Sequence, residues 1–121
     1  MDKIVSTLED ASQEVFDTLG AGHSESTYHS ALMRELSSRG VSFTSEGTIP
    51  ILYKGSPVGR FRPDLFIETD DGTVVIELKA TNSTGEDQLD GYLSILDTDN
   101  NFDVMGGILI RFNDDVEVIE A

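Results

Sequence analysis

The chain has no cysteine, only two histidines and only three lysines, Lys3, Lys54 and Lys79, among its 121 residues. Without cysteine, disulfides, zinc–thiolate sites and thiol nucleophiles are excluded. Two histidines are too few for a metal cage built on imidazole, and His23 and His29 read as loop and surface residues. No apolar run approaches the ~20 residues that span a bilayer. The first residues, Met1-Asp-Lys-Ile-Val-Ser-Thr7, lack the basic-then-apolar pattern of a secretory signal, so a cytoplasmic protein is expected. The length suits one domain over residues 1–121 with a modest core.

What is abundant is acid. Twenty-three Asp and Glu against eight Lys and Arg give a net charge of −15, which opposes binding to a polyanion. Scarce lysine beside plentiful acid also resembles the surfaces of proteins from salt-loving (halophilic) organisms. The positive charge is unevenly placed: Lys54, Arg60, Arg62 and Lys79 all lie in one segment.

That segment predicts a β-hairpin. Arg60 to Glu68 and Val74 to Ala80 alternate and are rich in β-branched and aromatic residues, with Asp71-Gly72 as a turn signal between them. With Asp71 and Gly72 as the central turn residues, Asp64 is expected opposite Lys79 and Phe66 opposite Glu77. Period-2 alternation puts Asp64, Glu77 and Lys79 on one face, and Leu65, Ile67, Val74, Ile76 and Leu78 on the other, the core face. Arg60 and Arg62 share parity with Asp64. Two adjacent carboxylates repel unless one is protonated or a cation lies between them, and hard oxygen donors select Mg²⁺ or Mn²⁺. A neighbouring lysine can orient water or neutralise a phosphoryl group. The bland alternative is a cross-strand Asp64–Lys79 ion pair with Glu77 on a solvated face, and a bare D…ExK pattern does not decide between them.

Around this hairpin, Ile4, Leu8, Ala11, Val15 and Leu19 recur at helical spacing, predicting a helix over 2–19 ended by Gly20-Ala-Gly22. Ser24 reads as the N-cap of a second helix running to about Ser38, with Glu25 in its first turn, where the helix dipole favours a carboxylate. Residues 41–53 suggest a strand with Pro50 at an irregular point, and 86–96 a third helix carrying Gln88 and Tyr92. Val104 to Phe112 is nearly all apolar and is expected inside the sheet, followed by a short strand over 116–119. The order ααβββαββ gives an α/β (α+β) fold, a mixed β-sheet flanked by helices in three layers, with the strand after the third helix joining in parallel.

The motifs of this chain, taken in order, resemble those of the GxxExxY family. They are Gly22-His-Ser-Glu25-Ser-Thr-Tyr28, Phe61-Arg-Pro-Asp64-Leu, Val75-Ile-Glu-Leu-Lys79-Ala, Gln88-Leu-Asp-Gly-Tyr92 and Gly107-Ile-Leu-Ile-Arg-Phe112. This family is similar to the PD-(D/E)XK nuclease superfamily, which implies a restriction-endonuclease-like core and metal-dependent hydrolysis of DNA phosphodiester bonds, including branched or repair intermediates. The resemblance makes Asp64 and Glu77 metal ligands for Mg²⁺ or Mn²⁺, Lys79 the lysine of the E-x-K element, Glu25 a helix glutamate near the metal, and Gln88 a residue of the site rim. Lys54, Arg60, Arg62 and Tyr92 would contact DNA. It also implies a homodimer acting on two strands, or a protein partner that supplies specificity. Acidic Asp87 and Asp90 beside Gln88 argue against close DNA contact along that helix. Two other classes compete: a non-catalytic module that keeps the nuclease fold for binding or assembly, and an acidic DNA mimic.

Overall fold

The computed structural model describes residues 1–80 and 104–120. Helix α1, Asp2–Leu19, buries Leu8, Ala11, Ser12 and Val15 on one stripe. Buried Ser12 satisfies its hydroxyl by donating to the Leu8 carbonyl at 2.6 Å. Gly20, at φ 76°, ends the helix. Helix α2, Glu25–Ser38, starts at Ser24, whose side chain accepts the Thr27 N–H as the sequence predicts, and buries Tyr28, Leu32 and Leu36.

Seven strands follow among the described residues: β1 Thr44–Ser45, β2 Ile49–Tyr53, β3 Ser56–Phe61, β4 Leu65–Thr69, β5 Gly72–Lys79, β6 Val104–Phe112 and β7 Val116–Glu120. The main sheet has the order β1-β4-β5-β6-β7, while β2 and β3 form a separate two-stranded ribbon. β4 and β5 are antiparallel, β5 and β6 parallel, and β6 and β7 antiparallel. This is the mixed sheet expected, with apolar β6 internal. One face, through Leu65, Ile67, Ile76, Leu78, Ile108 and Ile110, packs on the helices. Val75 and Leu109 on the opposite face receive Ile49 and Phe61 from the ribbon. The expected third helix, with Gln88 and Tyr92, lies outside the described residues.

Three local expectations need correction. The strand expected from Arg60 to Glu68 is two strands, broken at Arg62-Pro63-Asp64. Pro63 has no N–H to give a ladder, and the Asp64 side chain takes up the Leu78 N–H instead, at 2.7 Å. Residues 41–53 likewise hold two strands, β1 and β2, paired with different partners. Finally, β4 and β5 pair Leu65 with Ile76, Ile67 with Val74 and Thr69 with Gly72, so the turn is Asp70-Asp71 rather than Asp71-Gly72. The Thr69 hydroxyl selects this register: it accepts the Asp71 and Gly72 N–H groups at 3.2 and 3.1 Å and donates to the Gly72 carbonyl at 2.8 Å. Gly72, at φ 145°, opens β5. The correction leaves the division into inner and outer faces untouched.

Candidate active site

The corrected register carries Asp64, one residue before β4, to a position opposite Glu77 instead of Lys79. Two carboxylates therefore meet at the point where β4 begins to diverge from β5. Asp64 is held at both ends. Its Oδ2 accepts the Leu78 N–H at 2.7 Å, and its backbone carbonyl accepts from His29 Nε2 at 3.0 Å. A carbonyl can only accept, so the Nε2 nitrogen carries the proton and Nδ1 does not need one.

Burial pushes the Glu77 carboxyl up to about 8. The Asp64 charge and a hydrogen bond from the protonated Glu77 carboxyl to the Asp64 side chain add to the rise, while the Asp64 backbone N–H and the charge of Lys79 oppose it. Lys79 shares the Glu77 face of β5 and stands beside Arg111 in the parallel register with β6. Arg111 itself reaches Glu117 at 3.7 Å.

Helix α2 closes the other side. Glu25, Ser26 and His29 from its first turns join Asp64 and Leu78 around an open cleft of about 250 Å³. Glu25 Oε1 accepts the Ala80 N–H at 3.3 Å, tying the start of α2 to the end of β5. Tyr28 sets the angle at which α2 enters: its hydroxyl donates to the Gly20 carbonyl at 2.7 Å and accepts the His23 N–H at 3.3 Å. Its ring stacks on Phe112 with centroids 4.3 Å apart. Gly22, at φ 94°, lets the chain turn between the helices. The Gly22, Glu25 and Tyr28 spacing is therefore one turn glycine, one residue facing the cleft and one buried anchor.

Of the residues expected in the site, Asp64, Glu77 and Lys79 come together and Glu25 lines the adjoining cleft; Gln88 and Tyr92 lie outside the described residues. Lys54, Arg60 and Arg62 do not join them. Arg60 is cross-strand to Pro50 on the exposed face of the ribbon, Lys54 sits at the ribbon's tip, and Arg62 lies 3.6 Å from Glu46 with both side chains exposed. The parity that grouped Arg60 and Arg62 with Asp64 fails because the strand breaks at Pro63. His29, expected at the surface, instead supports Asp64. Its only sequence signal is its place four residues after Glu25, on the same side of α2.

Among the described residues, no three His, Asp or Glu side chains cluster closely enough to form a complete metal cage. The donor set present, two hard carboxylates forced together, still suits Mg²⁺, which keeps several waters and takes one or two protein carboxylates. A divalent cation there would replace the proton that the pair now shares.

A model of the PD-(D/E)XK nuclease superfamily matches residues 2–120. The chain belongs to that superfamily. Pro63-Asp64 and Glu77-Leu78-Lys79 spell the pattern for which the PD-(D/E)XK proteins are named. Members are generally hydrolytic nucleases and typically use divalent metals. No curated protein and no solved structure matches the chain. No helix among the described residues is long and apolar enough to cross a membrane.

Proposed function

We propose that this PD-(D/E)XK protein is a GxxExxY-type nuclease that hydrolyses DNA phosphodiester bonds with Mg²⁺ or Mn²⁺. The observation that carries the reading is the forced pairing of Asp64 with half-buried Glu77, with Lys79 on the same strand face. A structural ion pair needs one carboxylate, and a second one beside it destabilises the metal-free protein. Asp64 and Glu77 would hold the cation, with Glu25 facing the cleft. When bound, the ion supplies Lewis acidity toward the scissile phosphate and lowers the pKa of water. Asp64 is kept in position by the Leu78 N–H and by His29. Lys79 contributes positive charge toward the phosphate in the transition state and orients the attacking water.

The test is cleavage of end-labelled duplex, single-stranded and four-way-junction DNA with Mg²⁺ or Mn²⁺, from low to molar KCl, beside Glu77→Ala. Metal-dependent cutting that vanishes in the variant is the expected result. Cutting by Glu77→Ala at the parent's rate would remove the assignment. The net charge of −15 favours a second reading, a nuclease-fold module that binds without cutting. Absence of both cleavage and calorimetric Mn²⁺ binding would select it.

A further inference from the structure

In a chain with 23 acidic residues, the stretch 47–63 contains Lys54, Arg60 and Arg62 and no Asp or Glu. It folds as the β2–β3 ribbon, which is not hydrogen-bonded into the main sheet and packs on it through Ile49, Ile51 and Phe61. Its tip is a tight turn in which Tyr53 pairs with Ser56 across Lys54-Gly55. Both turn residues take positive φ, 50° at Lys54 and 79° at Gly55, the conformation that two-residue hairpins require. Such a position favours Asn, Asp or Gly, so the lysine there sits against backbone preference. Lys54 Nζ lies 5.3 Å from the Tyr53 ring centroid. Tyr53 and Val58 are 60% and 63% exposed, the large hydrophobic side chains left most open to solvent among the described residues. A register shift at Ile51/Leu52 leaves Val58 beside the ladder near this tip.

Exposed aromatic surface, cationic side chains and absence of acid coincide on one projecting element. Elsewhere acid is plentiful and repels a polyanion, so a nucleic acid strand is drawn to the ribbon. A flat ring beside phosphate-neutralising charges suits an unstacked base, whereas a paired base inside a duplex offers no free face. We infer that the β2–β3 ribbon is a binding arm for single-stranded nucleic acid, or for the unpaired strand of a junction or end. One base stacks on Tyr53 and Lys54 beside it neutralises a phosphate, while Arg60, which pairs with Pro50 on the other face of the ribbon, neutralises a second one where the strand crosses the ribbon's edge. The choice of a nucleic acid as occupant rests on the nuclease reading, and it adds a substrate class to it.

The experiment uses the full chain in EDTA, so that binding is read without cleavage. Anisotropy of an end-labelled oligo-dT strand and of a duplex of equal length is measured across a KCl series. Tyr53→Ala should weaken oligo-dT binding about tenfold and leave duplex binding within about twofold, while Tyr53→Phe restores the parent affinity. Lys54→Ala with Arg60→Ala should weaken both ligands and flatten the log–log salt dependence by about 1.4 on oligo-dT and about 1.8 on duplex. Tyr53 is exposed, so an unchanged thermal melt checks that each variant folds. Parent-like oligo-dT binding by Tyr53→Ala, equal loss on strand and duplex, or no oligo-dT binding at all would overturn the inference. So would sedimentation showing that Tyr53→Ala only splits a dimer, which would give the arm to a second copy of the chain. Oligo-dT held through Tyr53 without cutting when Mg²⁺ is added keeps the arm and removes the nuclease. Cutting of every substrate at the parent's rate by Tyr53→Ala, with unchanged oligo-dT affinity, removes the arm and keeps the nuclease.

Discussion

At neutral pH and without a cation, Glu77 keeps its proton, because burial and the neighbouring Asp64 charge push its pKa up to about 8. Its ordinary value is 4.5, so between about 4.5 and about 8 the folded protein binds more protons than the unfolded one. The metal-free fold therefore loses stability as pH rises through that window, by an amount on the order of a few kcal/mol. Denaturation midpoints from about pH 5 to about pH 9 should fall for the parent relative to Glu77→Gln, with the variant more stable at the alkaline end. Parallel profiles would show that the carboxyl is not perturbed. By the same reasoning, Mn²⁺ binding near pH 7 should release close to one proton per ion, and far less near pH 9. Titrations in buffers of different ionisation enthalpy read this directly. His29→Ala should lower stability by about 1 kcal/mol and weaken Mn²⁺ affinity about tenfold, since it supports a ligand without touching the ion. Asp64, Glu77 and Lys79 were legible because strand parity groups side chains. His29 was not, since its partner is a backbone carbonyl thirty-five residues away and no side-chain pattern marks a backbone acceptor.

At the level of elements, helices and strands differed in how far local chemistry determined them. The bounds of α1 and α2 follow from an apolar stripe, a serine cap and terminal glycines, all within a few residues of the feature they set. The β4–β5 register does not, because shifting every partner by two keeps the same residues inside and satisfies the apolar alternation equally well. A single hydroxyl, that of Thr69, chooses between the two registers. Close packing imposes a further constraint ahead of the ribbon. A methyl group on Gly47 would lie 2.7 Å from Phe66 Cε1 and 2.9 Å from Thr44 Cγ2, and the Phe66 ring is buried. Gly47→Ala should cost about 1–3 kcal/mol in urea denaturation. Gly59→Ala is the control: the nearest atom would be Ile51 Cδ1 at 3.8 Å, and the change should stay within about 0.5 kcal/mol. Equal effects would mean that the contact with Phe66 yields.

For the whole molecule, charge is the dominant fact. A net charge of −15 on so short a chain is self-repulsive, and salt screens that repulsion. The thermal midpoint should climb steadily from low to molar KCl, and a flat response would mean that the acidic surface is not adapted to salt. The order of residues already shows the acid-free stretch 47–63, but that it folds as an element separate from the strands carrying Asp64 and Glu77 emerges only when Pro63 is seen to break the strand.

The architecture also sets an order of events when the chain is made. Helix α1 packs its stripe of Leu8, Ala11 and Val15 in the same core as Ile108, Ile110 and Val118, so it meets these partners only once β6 and β7 have been made. β5 acquires its parallel neighbour from residues about thirty positions further on. Until β6 is made, β5 presents an open edge, although α1, α2 and the ribbon, which precede it in the chain, supply cover for its two faces. That interval is when a growing chain is most exposed to joining strands with its neighbours.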